Sequence, residues 1–156
     1  MMLWRIAEET RQYRADDLSG TGAAQYPGRW NNAGAPVLYT TLTISLAALE
    51  TAAHMAETGL PGNRYVVRID VPEHAWRNRQ VLAPEALPVT WDAIPAGESS
   101  AELGAEWLAA GASAILLVPS VIVPEEAVAL INPAHPDAAK IKATAVRSFE
   151  YSRLFR

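Results

Sequence analysis

The sequence predicts a single α+β domain, and three observations predict it. Residues 63 to 71 alternate with the period of a strand, and Ala114-Ile-Leu-Leu-Val118 is an apolar run of strand length. Ile44 to Glu57 carries apolar residues at helical spacing. The 156 residues suit one domain, and they hold no repeat, low-complexity segment or linker. Strands and helices then follow one another in mixed order, which is the pattern of an α+β domain.

Taken in order, Leu3-Trp-Arg-Ile-Ala7 reads as a short strand, with Leu3, Arg5 and Ala7 on one face and Trp4 and Ile6 on the other. Residues 15 to 27 are rich in Gly, Ser, Asp and Thr and read as an irregular loop. Pro36 to Thr40 is a second strand. Thr43 is the N-cap of a helix from Ile44 to Glu57, with Leu46, Leu49, Ala53 and Ala56 among its apolar positions. Gly59 is its expected stop, reinforced by Pro61. In the strand from Asn63 to Val71, Tyr65, Val67, Ile69 and Val71 face one way and Arg64, Val66, Arg68 and Asp70 the other. Residues 72 to 95 contain four prolines and two tryptophans, and read as a connector with a short turn near Pro84 to Leu87. Ser99 or Ser100 is expected to cap a helix through Ala110, ended by Gly111. The apolar strand from Ala114 turns at Pro119-Ser120, and another strand runs from Ala127 to Asn132. Asn132 to Pro136 is a rigid turn, Asp137 caps a single helical turn, and Thr144 to Tyr151 is the last strand.

Composition narrows the chemistry. There is no cysteine, which removes disulfides, thiol nucleophiles and thiolate metal sites and fits a reducing cytoplasm. No secretory signal is visible at Met1 to Arg5, and no apolar run reaches the ~18 residues of a membrane helix. The net charge is −4, the arginines are scattered, and lysine occurs only at Lys140 and Lys142. A chain that held nucleic acid through phosphates would carry a basic face, so direct nucleic-acid binding is not expected. A few arginines still suffice for a small phosphorylated ligand.

The richest stretch is Tyr26-Pro-Gly-Arg-Trp-Asn31. Gly28 frees the backbone beside a fixed cation, Arg29; Trp30 is an apolar anchor and Asn31 suits a turn. The same residues would also serve a buried tryptophan beside a solvated arginine. Tyr39 follows eight residues later. Glu50 then sits in the otherwise small and apolar Ser45-Leu-Ala-Ala-Leu-Glu-Thr-Ala-Ala-His54, where a carboxylate is either solvated or held at a cleft. His54 lies one helical turn beyond Glu50, but the two-His pattern of a zinc helix is missing and no metal is expected. His135 reads as a turn residue and His74 as surface. Ser120 ends an apolar strand, where the core positions a side chain rigidly while leaving it open. No nucleophile elbow surrounds it, so a hydrogen-bonding role is expected. Phosphate-loop and dinucleotide-fold glycine patterns are absent.

Arg29, Glu50 and Ser120, in that order, resemble the RES-domain family, named for its Arg, Glu and Ser. The likeness runs through Leu3-Trp-Arg-Ile6, Gly28-Arg-Trp-Asn31, Gly34-x-Pro-Val-Leu-Tyr39, Leu46-Ala-Ala-Leu-Glu50, Val118-Pro-Ser120, Leu130 to Asp137 and Arg153-Leu154. Ser152 departs from it, standing where the family has an acidic residue. The resemblance implies an ADP-ribosyltransferase-like fold, a split β-sheet cleft with flanking helices. It implies a cytoplasmic toxin of a bacterial toxin–antitoxin pair with NAD as substrate. The antitoxin it implies is a helix-turn-helix (Xre-type) protein that blocks the cleft in a hetero-oligomer.

On that likeness, Glu50, Arg29 and Ser120 are the expected catalytic residues, and Arg5, Arg29, Tyr39 and Ser120 the NAD-binding ones. Breaking the nicotinamide–ribose bond creates an oxocarbenium-like sugar, which a carboxylate stabilises. Glu50 takes that role or acts as a general base. Arg29 and Arg5 would grip the pyrophosphate, Tyr39 would stack on nicotinamide, and Ser120 would bond the ribose or carboxamide. The leading reading is a toxin that degrades NAD by hydrolysis or phosphorolysis; the alternatives are transfer of ADP-ribose to a protein and a non-catalytic module that docks through its tryptophans.

Overall fold

The computed structural model describes residues 1–55 and 59–155. Its elements are β1 (Met2–Glu8), α1 (Thr21–Gln25), β2 (Leu38–Thr41), α2 (Ile44–Ala52), β3 (Arg64–Asp70), α3 (Glu73–Arg77), β4 (Gln80–Val81), α4 (Glu98–Ala110), β5 (Ile115–Pro119), β6 (Ala127–Ile131) and β7 (Lys142–Phe149). The strands form one mixed sheet in the order β4-β5-β6-β2-β1-β3-β7. All neighbours are antiparallel except β4 and β5.

The sheet is split in its middle. β1 lies along β3 from Met2 opposite Asp70 to Glu8 opposite Arg64, but meets β2 at Trp4 opposite Thr41. β2 instead pairs with β6, from Leu38 opposite Ile131 to Thr41 opposite Val128. The two halves, β4-β5-β6-β2 and β1-β3-β7, therefore part beside the Trp4–Thr41 contact. This is the α+β architecture with a split sheet expected from the sequence.

Strand alternation sorts the core onto two faces. Leu3, Leu38, Val67, Ile69, Ile115, Leu117, Ala129 and Ile131 pack on one face with Ala15 and Ile141. Leu116, Val118, Val128 and Leu130 pack on the other with Trp30, Trp91 and Trp107. Ile6 joins that second side through Ala47 and Ala48 of α2 and the buried Tyr151.

Several elements differ from expectation for local reasons. The Thr43 cap forms as expected, its Oγ1 accepting from the Leu46 amide at 3.1 Å. Helix α2 stops at Ala52 rather than Glu57, and Ala56 and Glu57 lie outside the described residues. Thr51 donates its hydroxyl back to the Ala47 carbonyl, and the His54 and Met55 amides bond three residues back, which tightens and closes the last turn. Gly97, not Ser99 or Ser100, is the N-cap of α4, while Gly111 ends it at φ 60° as expected. His135 rather than Asp137 caps the short 3-10 turn at Pro136–Lys140, its Nδ1 accepting from the Asp137 amide at 3.1 Å. The loop of residues 15 to 27 contains α1, and the connector of residues 72 to 95 contains α3 and β4. β7 ends at Phe149, and Tyr151 opens a further 3-10 turn.

Candidate active site

Glu50 and Ser120, seventy residues apart, meet on the α2 side of the sheet. Ser120 Oγ donates to Glu50 Oε1 at 2.6 Å, a short bond of the charge-assisted kind. The same oxygen accepts the backbone N–H groups of Ile122 at 3.1 Å and Val123 at 3.0 Å. The serine amide is itself held by the Glu126 carbonyl at 2.9 Å. Every hydrogen-bonding capacity of this buried hydroxyl is thus committed. It fixes a carboxylate and cannot also serve as a free nucleophile. Glu50 is half-buried, and Ser120 anchors one of its two carboxylate oxygens.

Arg29 sits on the loop after Gly28 and is held from several directions. Its Nη1 donates to the Trp91 carbonyl at 2.9 Å and the Ala93 carbonyl at 2.8 Å. Among the described residues, no carboxylate pairs with it and no hydrogen bond uses its Nε or Nη2. The guanidinium is therefore positioned by neutral carbonyl groups.

Tyr39 and Asn31 clamp the same loop. The Tyr39 hydroxyl donates to Asn31 Oδ1 at 2.7 Å and accepts the Trp30 amide at 3.0 Å. Asn31 Oδ1 also accepts the Gly28 amide at 2.9 Å, and its Nδ2 donates to the carbonyls of Ala23 and Ala35. Burial pushes the Tyr39 phenol well above its usual range, against the smaller opposing pulls of the Trp30 amide and the Arg29 charge. Gly28 is required here by space: a Cβ would stand 2.6 Å from the Tyr39 ring.

Helix α4 fixes the loop from beneath. Ser100 Oγ donates to the Arg29 carbonyl at 3.0 Å. One turn on, Gly104 lies so close that a Cβ would stand 1.7 Å from the Trp30 carbonyl oxygen. Trp30 stacks on Trp91 with ring centroids 6.4 Å apart. Asn31, Ser100 and Gly104 were not singled out as site residues from the sequence. For Ser100 and Gly104 the signal was a small-residue spacing in α4, which does not say what it faces; Asn31 stood in the Gly28-Arg-Trp-Asn31 stretch but read as a turn residue.

The sheet faces separate Arg5 from this group. Arg5 alternates with Ile6, which packs against α2, so it shares the opposite face with Leu3. There its Nη2 donates to the Ala15 carbonyl at 2.9 Å. Burial lowers its pKa, offset in part by Asp17 and Asp16. The structure thus brings Glu50 and Ser120 together, and Tyr39 together with the Arg29 loop, on the α2 side. It leaves Arg5 across the sheet. Ser120 continues the alternation of Leu116 and Val118, which pack in one cluster with Trp30 and Tyr39. His54 is exposed beyond the end of α2, and His74 is exposed beside Asp137. Among the described residues, no group of three or more His, Asp or Glu is placed to hold a metal. None of the described helices is long and apolar enough to cross a membrane.

Comparisons with known proteins place the chain in a family. Residues 2–153 match the RES domain family. The chain is 52% identical over 148 residues to the Prs ADP-ribosylating toxin of Sphingobium sp. (strain YBL2), covering 95% of this chain and 92% of that protein. It is 37% identical over 135 residues to Toxin Res of Yersinia enterocolitica, covering 86% of each. Its fold matches a chain in the crystal structure of the M. tuberculosis MbcT-MbcA toxin-antitoxin complex with a TM-score of 0.67. That match has 18% identity and covers 93% of this chain and 83% of the other. The relatives carry the name of toxins, and this chain belongs to the RES domain family.

Proposed function

We propose that this chain is a toxin that opens the nicotinamide–ribose bond of NAD, its substrate, and passes on the ADP-ribose. The observation that carries the reading is the 2.6 Å bond from Ser120 to Glu50, which anchors one oxygen of a half-buried carboxylate. As the bond to nicotinamide lengthens, the sugar carbon turns cationic. The carboxylate of Glu50 supplies the opposing charge and takes a proton from the incoming acceptor. Ser120 is a positioning residue in this scheme, because its proton and lone pairs are already spent. Arg29 holds the diphosphate through the N–H groups that its two carbonyl partners leave. Tyr39 acts by clamping the Arg29 loop. Its contacts run through the hydroxyl and the ring edge at Gly28, and these do not support the stacking role expected from the sequence. Arg5, across the sheet, has no part in holding the diphosphate in this reading.

The acceptor is where relatives speak. The 52% identity to a protein named for ADP-ribosylating Prs supports transfer to a protein, Prs, over transfer to water or phosphate. The fold match to a toxin–antitoxin complex supports a cognate antitoxin that closes the cleft. The helix-turn-helix (Xre-type) class of that antitoxin and the cytoplasmic setting remain part of the same proposal.

The test is a product analysis. Purified protein is incubated with NAD alone, with phosphate, and with Prs, and free nicotinamide is measured. Nicotinamide release with label on Prs is the expected result. Release with free ADP-ribose or its phosphate ester would turn the assignment to hydrolysis or phosphorolysis. No release under any of the three conditions would sink the proposal.

A further inference from the structure

The loop of residues 87–95 joins two properties that rarely coincide. It is pinned from inside: Trp91 is buried and stacked on Trp30, and the carbonyls of residues 91 and 93 accept from Arg29. The Trp91 amide bonds the Pro88 carbonyl at 3.0 Å, and Thr90 Oγ1 lies 3.1 Å from Ser99 Oγ on α4. Yet the loop turns Val89 (96% exposed) and Ile94 (85% exposed) to solvent. Single exposed apolar residues are ordinary; two held on a loop tied to the site's cation form a fixed apolar contact point.

The charge around that point is one-sided. Eight of the 17 acidic residues and none of the 13 Lys and Arg residues lie between Gln80 and Ala139. Asp92 is exposed on the loop itself. Glu98, Glu102 and Glu106 follow on α4 at four-residue intervals, all exposed. Like charges at that spacing repel and weaken a helix. Among the described residues none of these four acids makes an ion pair.

We infer that this loop and the acidic face of α4 recognise the ADP-ribose acceptor, a protein that presents basic groups around an apolar contact. The inference rests on the protein-transfer reading above. An acceptor must reach a dinucleotide whose diphosphate Arg29 holds in that reading, and the loop is bonded to Arg29. Basic groups on the acceptor complement the acidic stripe and speed encounter. Apolar contacts at Val89 and Ile94 then add strength to the encounter.

The test uses purified Prs as the acceptor and separates the two reactions. The double variant Val89→Asp, Ile94→Asp changes only exposed side chains, and so does Glu98→Lys, Glu102→Lys. Without Prs, water takes the ADP-ribose in a slow side reaction, and both variants are expected to release nicotinamide by it at the wild-type rate. Labelling of Prs should fall by about tenfold or more, which corresponds to ~1.4 kcal/mol, through a higher KM for Prs. Salt should raise that KM in the wild type and do so less in the lysine variant. Undiminished labelling by both variants overturns the inference. So does wild-type protein that releases nicotinamide while leaving Prs unlabelled. Intact labelling with lost binding of the antitoxin would assign the loop to the inhibitor instead and equally overturn it. Absence of nicotinamide release from wild type would strike the underlying reaction, not this surface.

Discussion

Replacing Ser120 with alanine removes one hydroxyl and three hydrogen bonds. The bond to Glu50 is charge-assisted, and such bonds contribute about 1.5–3 kcal/mol. The Ile122 and Val123 amides also lose their acceptor, but Ile122 is exposed and water replaces much of that loss. The expected destabilisation is therefore ~2–3 kcal/mol. At roughly 2–4 °C per kcal/mol for a chain of this size, the Tm falls by roughly 4–12 °C. The protein still folds at 25 °C if its stability is in the usual range of about 5–15 kcal/mol. Glu50 keeps its charge but loses its fixed direction. Misplacement of a reacting group by about 1 Å costs up to about a hundredfold, so kcat for nicotinamide release should fall about 10- to 100-fold. KM for NAD should hold, because Arg29 is untouched. Steady-state kinetics beside a thermal melt reads both quantities. Ser120→Cys, which retains a weaker donor, should fall between. A Ser120→Ala protein with wild-type kcat would refute the positioning role, whatever its Tm.

Three further outcomes follow from the Arg29 loop. Gly104→Ala places a methyl group 1.7 Å from the Trp30 carbonyl, which forces α4 away from the loop. Overpacking of this kind costs about 1–3 kcal/mol or more, against the ~1 kcal/mol an alanine gains in a helix, so a melt should show net destabilisation and KM for NAD should rise. Arg29→Lys keeps the charge but not the fork; it should raise KM for NAD by about tenfold or more, read from initial rates. Tyr39 stays protonated in the fold because burial raises its pKa, so folding becomes less favourable as the pH climbs past the ordinary tyrosine value near 10 and the unfolded chain ionises. Tyr39→Phe should flatten that alkaline loss in urea titrations, while being less stable at neutral pH through the lost bonds to Asn31 and Trp30.

Local signals were legible in the sequence, and contacts between distant elements were less so. Thr43 and Gly111 marked helix ends because capping depends on neighbours within a few residues. The alternation at Arg64 to Asp70 announced a strand because one pattern serves one face. β4 escaped because two residues leave no period to detect, and it is defined by its pairing with Leu116 and Leu117. The end of α2 escaped because Thr51 turns its hydroxyl onto its own helix. At the site, Arg29, Tyr39, Glu50 and Ser120 stood out as chemistry-bearing residues in order. Ser100, Gly104 and the central role of Asn31 did not, because each matters only through the loop it happens to meet. Arg5 is the instructive case. Its strand parity already opposed it to Ile6, but the position of α2 on the Ile6 side was needed to turn parity into separation.

The most direct test of the central claim is Glu50→Gln, read as nicotinamide released from NAD by protein whose melt matches wild type. Glutamine keeps the shape and an oxygen for Ser120, and removes only the charge. By analogy with a lost charge-stabilising group, kcat should fall about 10²- to 10³-fold. A Glu50→Gln enzyme that releases nicotinamide as fast as wild type would contradict the account.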